Sequence, residues 1–135
     1  MQFEQKKIEK KEDERGWFSE ILRDDDLSEN DRKRFGQFGI TAAKEGVVKG
    51  NHYHKRKLEW YCVIKGKALI VLEDNETGER KEIILDEKSP ELLKIFPNTS
   101  HAIKNIGTGI MLLLIYTNEP FNKEDPDTYK SEIKI

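Results

Sequence analysis

Apolar residues in this chain come in short alternating or continuous runs with turn residues between them, and no stretch repeats at the spacing of an amphipathic helix. Alternation puts every second side chain on one face, as a half-buried strand requires. On that pattern strands are expected at Phe3–Lys10, Trp17–Leu22, Gln37–Ala43, Val47–His54, Glu59–Ile64, Lys67–Leu72, Arg80–Leu85, Glu91–Phe96, Ala102–Asn105 and Gly109–Tyr116. Turn chemistry separates them at Lys65-Gly66, Asp74-Asn75-Glu76-Thr77-Gly78, Ser89-Pro90, Pro97-Asn98 and Gly107-Thr108-Gly109. The polar stretch 24–34, DDDLSENDRKR, reads as a loop or one helical turn, because Ser28 with Asp31 three residues on makes a weak capping box. Residues 118–135 read as an extended arm with a turn at Asp125-Pro126-Asp127.

About ten short strands must close on themselves to protect their edges, so the expected fold is all-β, with jelly-roll closure. A length of 135 residues fits one domain over 1–135, and such a chain buries roughly two-thirds of its unfolded surface without disulfide staples. The single cysteine, Cys62, sits between Tyr61 and Val63 and reads as core. Charged residues make up 37% of the chain with a net charge of -2, so both signs are interspersed and no field draws nucleic acid. The start MQFEQKKIEK lacks the apolar stretch of a signal peptide, and the run Ile110–Tyr116 is too short to cross a bilayer. A cytoplasmic protein with no membrane contact is the expectation.

The candidate chemistry lies in GVVKGNHYHKRKLEWYCVIKG, residues 46–66. On a strand, His52 and His54 project from one face while Tyr53 points away. Lys55, Arg56 and Lys57 form a polar turn, after which Glu59 opens the next strand and can bring a carboxylate to the same point. His101 follows the turn Phe96-Pro97-Asn98-Thr99-Ser100 at the start of a later strand. Taken alone, the histidine pair is better read as solvated or packing side chains.

The flanking spacing alters that balance. Gly46, His52-x-His54, Glu59 and Gly66, then Pro97, His101 and Asn105, resemble the paired signature motifs of the cupin superfamily. The first motif agrees at every fixed position; the second lacks the glycine after the proline and is one residue shorter between Pro97 and His101. The resemblance implies a cupin jelly-roll barrel, a double-stranded β-helix, with His52, His54, Glu59 and His101 as ligands of a divalent transition metal. Three imidazoles and a carboxylate suit zinc, iron, manganese, nickel or copper, so ligand type alone does not choose the metal.

DERGWFSE, residues 13–20, resembles a segment of the nucleotide-sugar 3,5-epimerases acting on 4-keto-6-deoxyhexoses, and implies that Arg15, Phe18 and Glu20 line the nucleotide part of a pocket. A guanidinium can hold a diphosphate, an aromatic face can pack on a base and a carboxylate can accept a base N–H. VVKGNHYH and IYTNEPFNKEDPDTY are similar to the C-terminal cupin domain of the bifunctional reductase-epimerases of capsular polysaccharide synthesis, a resemblance running from Gln37 to Tyr129. It implies a metal-bearing isomerase, the metal usually zinc, that acts as a nucleotide-sugar epimerase on a UDP- or dTDP-linked 4-keto-6-deoxy sugar. Gln37 and Lys49, the latter where both families carry arginine, join the implied substrate-binding set. The reductase half is absent from these residues, so no reduction is expected.

The two resemblances conflict at His52. The 3,5-epimerases use this histidine as the base, yet a nitrogen bound to a metal cannot also take a proton; His52 is therefore the base only if it is not a ligand. The lysine and tyrosine those enzymes use correspond here to Glu59 and Phe121, which favours the capsular type. A sugar-binding cupin without activity and a keto-sugar isomerase are the alternatives. Trp60 and Tyr61 are expected to face opposite sides of their strand, and Trp17 is expected over the pocket mouth. Small cupins pair through their sheets, so a homodimer in which Phe3–Lys10 completes the partner's pocket is also implied.

Overall fold

A computed structural model describes residues 1–135. Its strands are β1 (Phe3–Lys7), β2 (Lys11–Asp13), β3 (Gly16–Phe18), β4 (Gln37–Ala43), β5 (Val48–Tyr53), β6 (Glu59–Lys65), β7 (Lys67–Asp74), β8 (Arg80–Asp86), β9 (Glu91–Ile95), β10 (Thr99–Asn105), β11 (Met111–Thr117) and β12 (Tyr129–Lys130). One helical turn, α1 (Glu29–Arg32), follows a 3-10 turn at Asp24–Asp26. Ser28 caps α1 by accepting the Asp31 N–H at 3.1 Å, so the weak capping box does form a turn of helix.

Two five-stranded antiparallel sheets face each other, ordered β1-β9-β6-β11-β4 and β12-β5-β10-β7-β8, and β2 with β3 forms a separate hairpin. Sequence alternation appears directly in the layers. Tyr61, Val63, Ile70, Leu72, Leu85, Leu93, Met111 and Leu113 fill the space between the sheets. Each such side chain contributes roughly 1.5–3 kcal/mol by leaving water. The opposite face of β6 and β11 carries Trp60, Cys62 and Tyr116, covered by Ile21, Leu22 and Leu27. The outer face of β7 and β10, with Val71 and Ala102, is covered by Ile133. Trp60 and Tyr61 thus face opposite sides and both are buried. Burial pushes the Cys62 thiol up to about 11, an inert core thiol.

Strand Gln37–Ala43 falls where the alternation places it, but pairing moves other boundaries. β1 ends at Lys7, where its register with β9 ends at Glu91. Trp17–Leu22 stops at Phe18, because Ile21 and Leu22 leave the hairpin to cover a sheet face. β10 begins at Thr99, three residues before Ala102, since it pairs with β7 from that point. β2 and β12 have no apolar alternation and exist only through their partners β3 and β5.

The step from Gly50 to His52 shapes the interior. Gly50 and Asn51 have φ of 80° and 58°, and the β5–β10 register shifts there, with Gly50 opposite Ala102 and His52 opposite His101. Asn51 is therefore the extra residue of a β-bulge. A Cβ on Gly50 would lie 3.2 Å from the His101 carbonyl oxygen, so glycine alone fits. Asn51 ties the bulge to the C-terminal arm, its Oδ1 accepting the Ile133 N–H at 2.8 Å.

Candidate metal centre

The bulge sets His52 directly across from His101, and β5 carries the chain on to His54, while Glu59 enters from the first residue of β6. One ligand atom from each of His52, His54, Glu59 and His101 lies within 4.8 Å of all the others. His54, Glu59 and His101 are buried and His52 is half-buried.

The hydrogen bonds fix which ring nitrogens carry protons. His54 Nδ1 donates to the Asp127 carbonyl at 2.6 Å, and His101 Nδ1 donates to the Thr99 carbonyl at 3.0 Å. A carbonyl oxygen only accepts, so both Nδ1 atoms are protonated and Nε2 is left to carry the lone pair. His101 Nε2 lies 2.8 Å and His54 Nε2 3.4 Å from Glu59 Oε2, yet all three histidine Nε2 atoms are buried without a hydrogen bond. Two fixed nitrogen lone pairs, the buried His52 Nε2 and a carboxylate thus converge, and the Tyr61 hydroxyl donates to Glu59 Oε2 at 3.1 Å. Such a convergence is stable around a cation, and the anchored Nδ1–H groups are the second-shell arrangement that orients imidazole ligands. The donor set His-His-His-Glu fits a divalent transition metal.

Without a cation the same groups pair with each other: burial would raise the Glu59 carboxyl, but hydrogen bonds and charge from protonated His101 and His54 rings outweigh it and hold Glu59 well below the usual carboxylate range. Burial, with the His101 charge adding to it, depresses His52 to about 4, so its ring is neutral near pH 7. Burial pulls His54 down as well, but Glu59 beside it leaves it raised overall. Burial, then the Glu59 charge, pushes the Tyr61 phenol well above its ordinary range, so it stays a donor.

A cavity of about 290 Å³ opens over the cluster, lined by Gln37, His52, His54, Lys57, Glu59 and Phe121 among others. A more apolar groove of about 450 Å³, bordered by Leu27, Phe35 and Phe38, lies on the outer face of the first sheet away from the histidines. The smaller cavity is the one with chemistry.

Of the residues implied to bind substrate, Gln37 lines this cavity, and its side-chain oxygen accepts the Phe121 N–H at 2.8 Å. Lys49 instead reaches between the sheets to Thr41 Oγ1 at 2.7 Å. Arg15, Phe18 and Glu20 are not brought to the cavity within one chain. Arg15 folds back on Asp13, Glu20 pairs with Arg23 at 2.7 Å, and Phe18 projects from the hairpin 59% exposed. Trp17 lies on the same hairpin beneath the Lys10 ammonium, not over the cavity mouth. Tyr116 packs against Phe35 and Trp60, and Tyr129 stacks on Tyr53.

Asp127 is the residue that the spacing argument overlooked. It is 2% exposed, sits at φ 47°, and its carboxylate accepts the main-chain N–H groups of Lys55, Arg56 and Lys57 at 3.0, 2.9 and 3.0 Å. One residue from the arm thereby holds both His54 and the loop leading to Glu59. Burial works against its charge, but those three N–H groups hold the carboxyl below its ordinary value. The run Pro126-Asp127 was legible as a turn; its partner was not.

Comparison with known proteins places the chain. The family model described as Polysaccharide biosynthesis C-terminal domain matches residues 11–129. A UDP-2-acetamido-2,6-beta-L-arabino-hexul-4-ose reductase of Pseudomonas aeruginosa is 36% identical over 121 residues, 90% of this chain but 30% of that protein. The spore coat polysaccharide biosynthesis protein SpsL of Bacillus subtilis is 33% identical over 127 residues, 90% of this chain and 82% of that protein. The crystal structure of capsular polysaccharide assembling protein CapF from Staphylococcus aureus superposes with a TM-score of 0.72 at 29% identity, covering 93% of this chain and 33% of that one. The double-sheet architecture is a cupin-type jelly roll. No helix is long and apolar enough to cross a membrane.

Proposed function

The chain belongs to the polysaccharide biosynthesis C-terminal domain family, and from that premise we propose that it epimerises a nucleotide-linked 4-keto-6-deoxy sugar beside its ketone. The observation that carries this reading is the convergence of three partnerless imidazole nitrogens and one carboxylate beneath a cavity of about 290 Å³. The name of the Pseudomonas relative, a UDP-linked 4-ulose reductase, supports a UDP-linked substrate, though this chain spans only 30% of that protein.

The chemistry asks little of the protein beyond placement. The ketone acidifies the neighbouring C–H, a base takes the proton, and return of a proton to the opposite face inverts the carbon. His52, His54, Glu59 and His101 would hold a divalent metal, zinc in this reading, which when bound supplies Lewis-acid polarisation of a carbonyl. The chain's own part is to keep His54 and His101 oriented through Asp127 and Thr99 and to present a neutral His52. His52 lacks the Nδ1 anchor of the other two, so it is the histidine free to act as base where no metal occupies its Nε2. Within this proposal the protein is a single cytoplasmic domain that works as a homodimer. Arg15 and Phe18, exposed on the hairpin, and Glu20, exposed just beyond it, would then meet the nucleotide of a partner's pocket.

The test is incubation with UDP- and dTDP-linked 4-keto-6-deoxy sugars in heavy water, followed by NMR. Deuterium at C3 with inversion is expected. Absence of deuterium at C3 and C5 refutes the epimerase for those substrates, and a displaced carbonyl in the product identifies a keto-sugar isomerase. Binding without exchange identifies a non-catalytic sugar-binding cupin.

A further inference from the structure

Lys57 is the only buried lysine or arginine of the chain, 5% exposed, and it lines the cavity that holds the histidine cluster. Its ammonium donates to the Pro126 carbonyl at 3.0 Å and approaches the Phe121 ring at 5.8 Å, and it joins none of the chain's ion pairs. The adjacent Arg56 behaves in the opposite way, exposed to water and paired with Glu119 and Asp125 at 3.1 and 3.0 Å. Glu59, the nearest acid along the chain, faces His101 and His54 instead. An ammonium buried against one carbonyl lowers stability unless something else uses its charge, because two of its three N–H donors and its whole charge lack a fixed partner.

Resting on the epimerase reading above, we propose that Lys57 holds the oxygen on which negative charge develops when the sugar loses its proton. The C–H bond beside the ketone breaks and its proton passes to a solvent-exchanging base of the pocket. Its electron pair forms the new C=C bond, and the carbonyl π pair moves onto the C4 oxygen, which accepts an N–H from Lys57. Reprotonation at carbon reverses the electron flow. A donor already held in place is most effective for charge that appears only in the transition state.

The rival anion is the nucleotide diphosphate, and the geometry disfavours it. A volume of about 290 Å³ is at the lower end of small-molecule pockets, roughly 300–1,000 Å³, so it accommodates the sugar and leaves the nucleotide at the rim. Lys57 lines that cavity together with His52, His54 and Glu59.

The experiment compares the full chain with Lys57→Met and Lys57→Gln, the latter keeping a donor for Pro126 while removing the charge. Deuterium incorporation into the 4-keto sugar nucleotide is measured beside UDP affinity by calorimetry and thermal unfolding. The expected result is exchange slowed roughly 100- to 1,000-fold in both variants. UDP dissociation constants should stay within about threefold, and stability should be unchanged or higher once the unpaired charge is gone. Exchange at the normal rate in either folded variant overturns the proposal for Lys57 while leaving the epimerase intact. UDP affinity falling in step with exchange also overturns it, assigning Lys57 to the diphosphate. Loss of folding in both variants overturns it too, since the lysine is then structural. No exchange by the unaltered protein refutes the epimerase reading and this inference with it.

Discussion

Asp127 offers the sharpest perturbation, because one side chain from the arm satisfies three successive main-chain donors and its carbonyl orients His54. In Asp127→Ala the Lys55, Arg56 and Lys57 amides lose a charged acceptor, each bond contributing roughly 1.5–3 kcal/mol when one partner is ionised. Two of these amides are only partly buried and can turn to water. Alanine at φ 47° adds on the order of 1 kcal/mol of backbone strain. The expected loss is about 3–5 kcal/mol in guanidinium unfolding. Asp127→Gly, which tolerates the backbone but still lacks the carboxylate, should recover only about 1 kcal/mol of it. Asp127→Asn keeps one acceptor oxygen and the left-handed backbone, and falls between. The same loosening releases the His54 Nδ1–H anchor, so zinc affinity, measured by chelator competition, should fall roughly 10- to 100-fold. A loss under about 1 kcal/mol in Asp127→Ala with unchanged zinc affinity would refute the clamp, whichever way activity moved.

Two further predictions concern the cluster itself. Protein purified without a histidine tag should carry on the order of one equivalent of transition metal, and Glu59→Gln should lower its affinity at least tenfold by removing the charged ligand; under about a tenth of an equivalent in the unaltered protein sinks the cage. For the metal-free protein, His52 sits at 6.5 when unfolded and about 4 when folded, so its contribution is present above pH 6.5 and is lost as pH falls towards 4. At roughly 1.4 kcal/mol per unit, discounted for the part of the ring facing water, that is about 2–3 kcal/mol. Unfolding midpoints from pH 4 to 8 should fall more steeply with acidification than those of His52→Gln, and parallel curves would exclude the effect.

Much of the fold was readable because alternation is a local property of the chain. Arg80–Asp86 buries Ile83 and Leu85 and exposes Glu82 and Ile84 in two-residue steps, and the same step puts His52 and His54 on one face of one strand. The resemblance of spacing added Glu59 and His101, and the structure brings all four to one point. Short segments without alternation gave no such signal. β12 has only Tyr129 and Lys130 and is a strand solely because β5 offers it an edge. DERGWFSE carried a motif but no position, and tertiary packing leaves it on a hairpin and its exit, where Arg15 pairs with Asp13 and Glu20 with Arg23 rather than facing the cavity. Register across the sheets, the partner of Asp127 and the isolation of Lys57 depend on contacts 70 or so residues apart in the chain. Local periodicity determines which face a side chain takes; only chain closure decides what it meets there, because a hydrogen bond or a buried charge is set by distance in space and leaves no trace in sequence spacing.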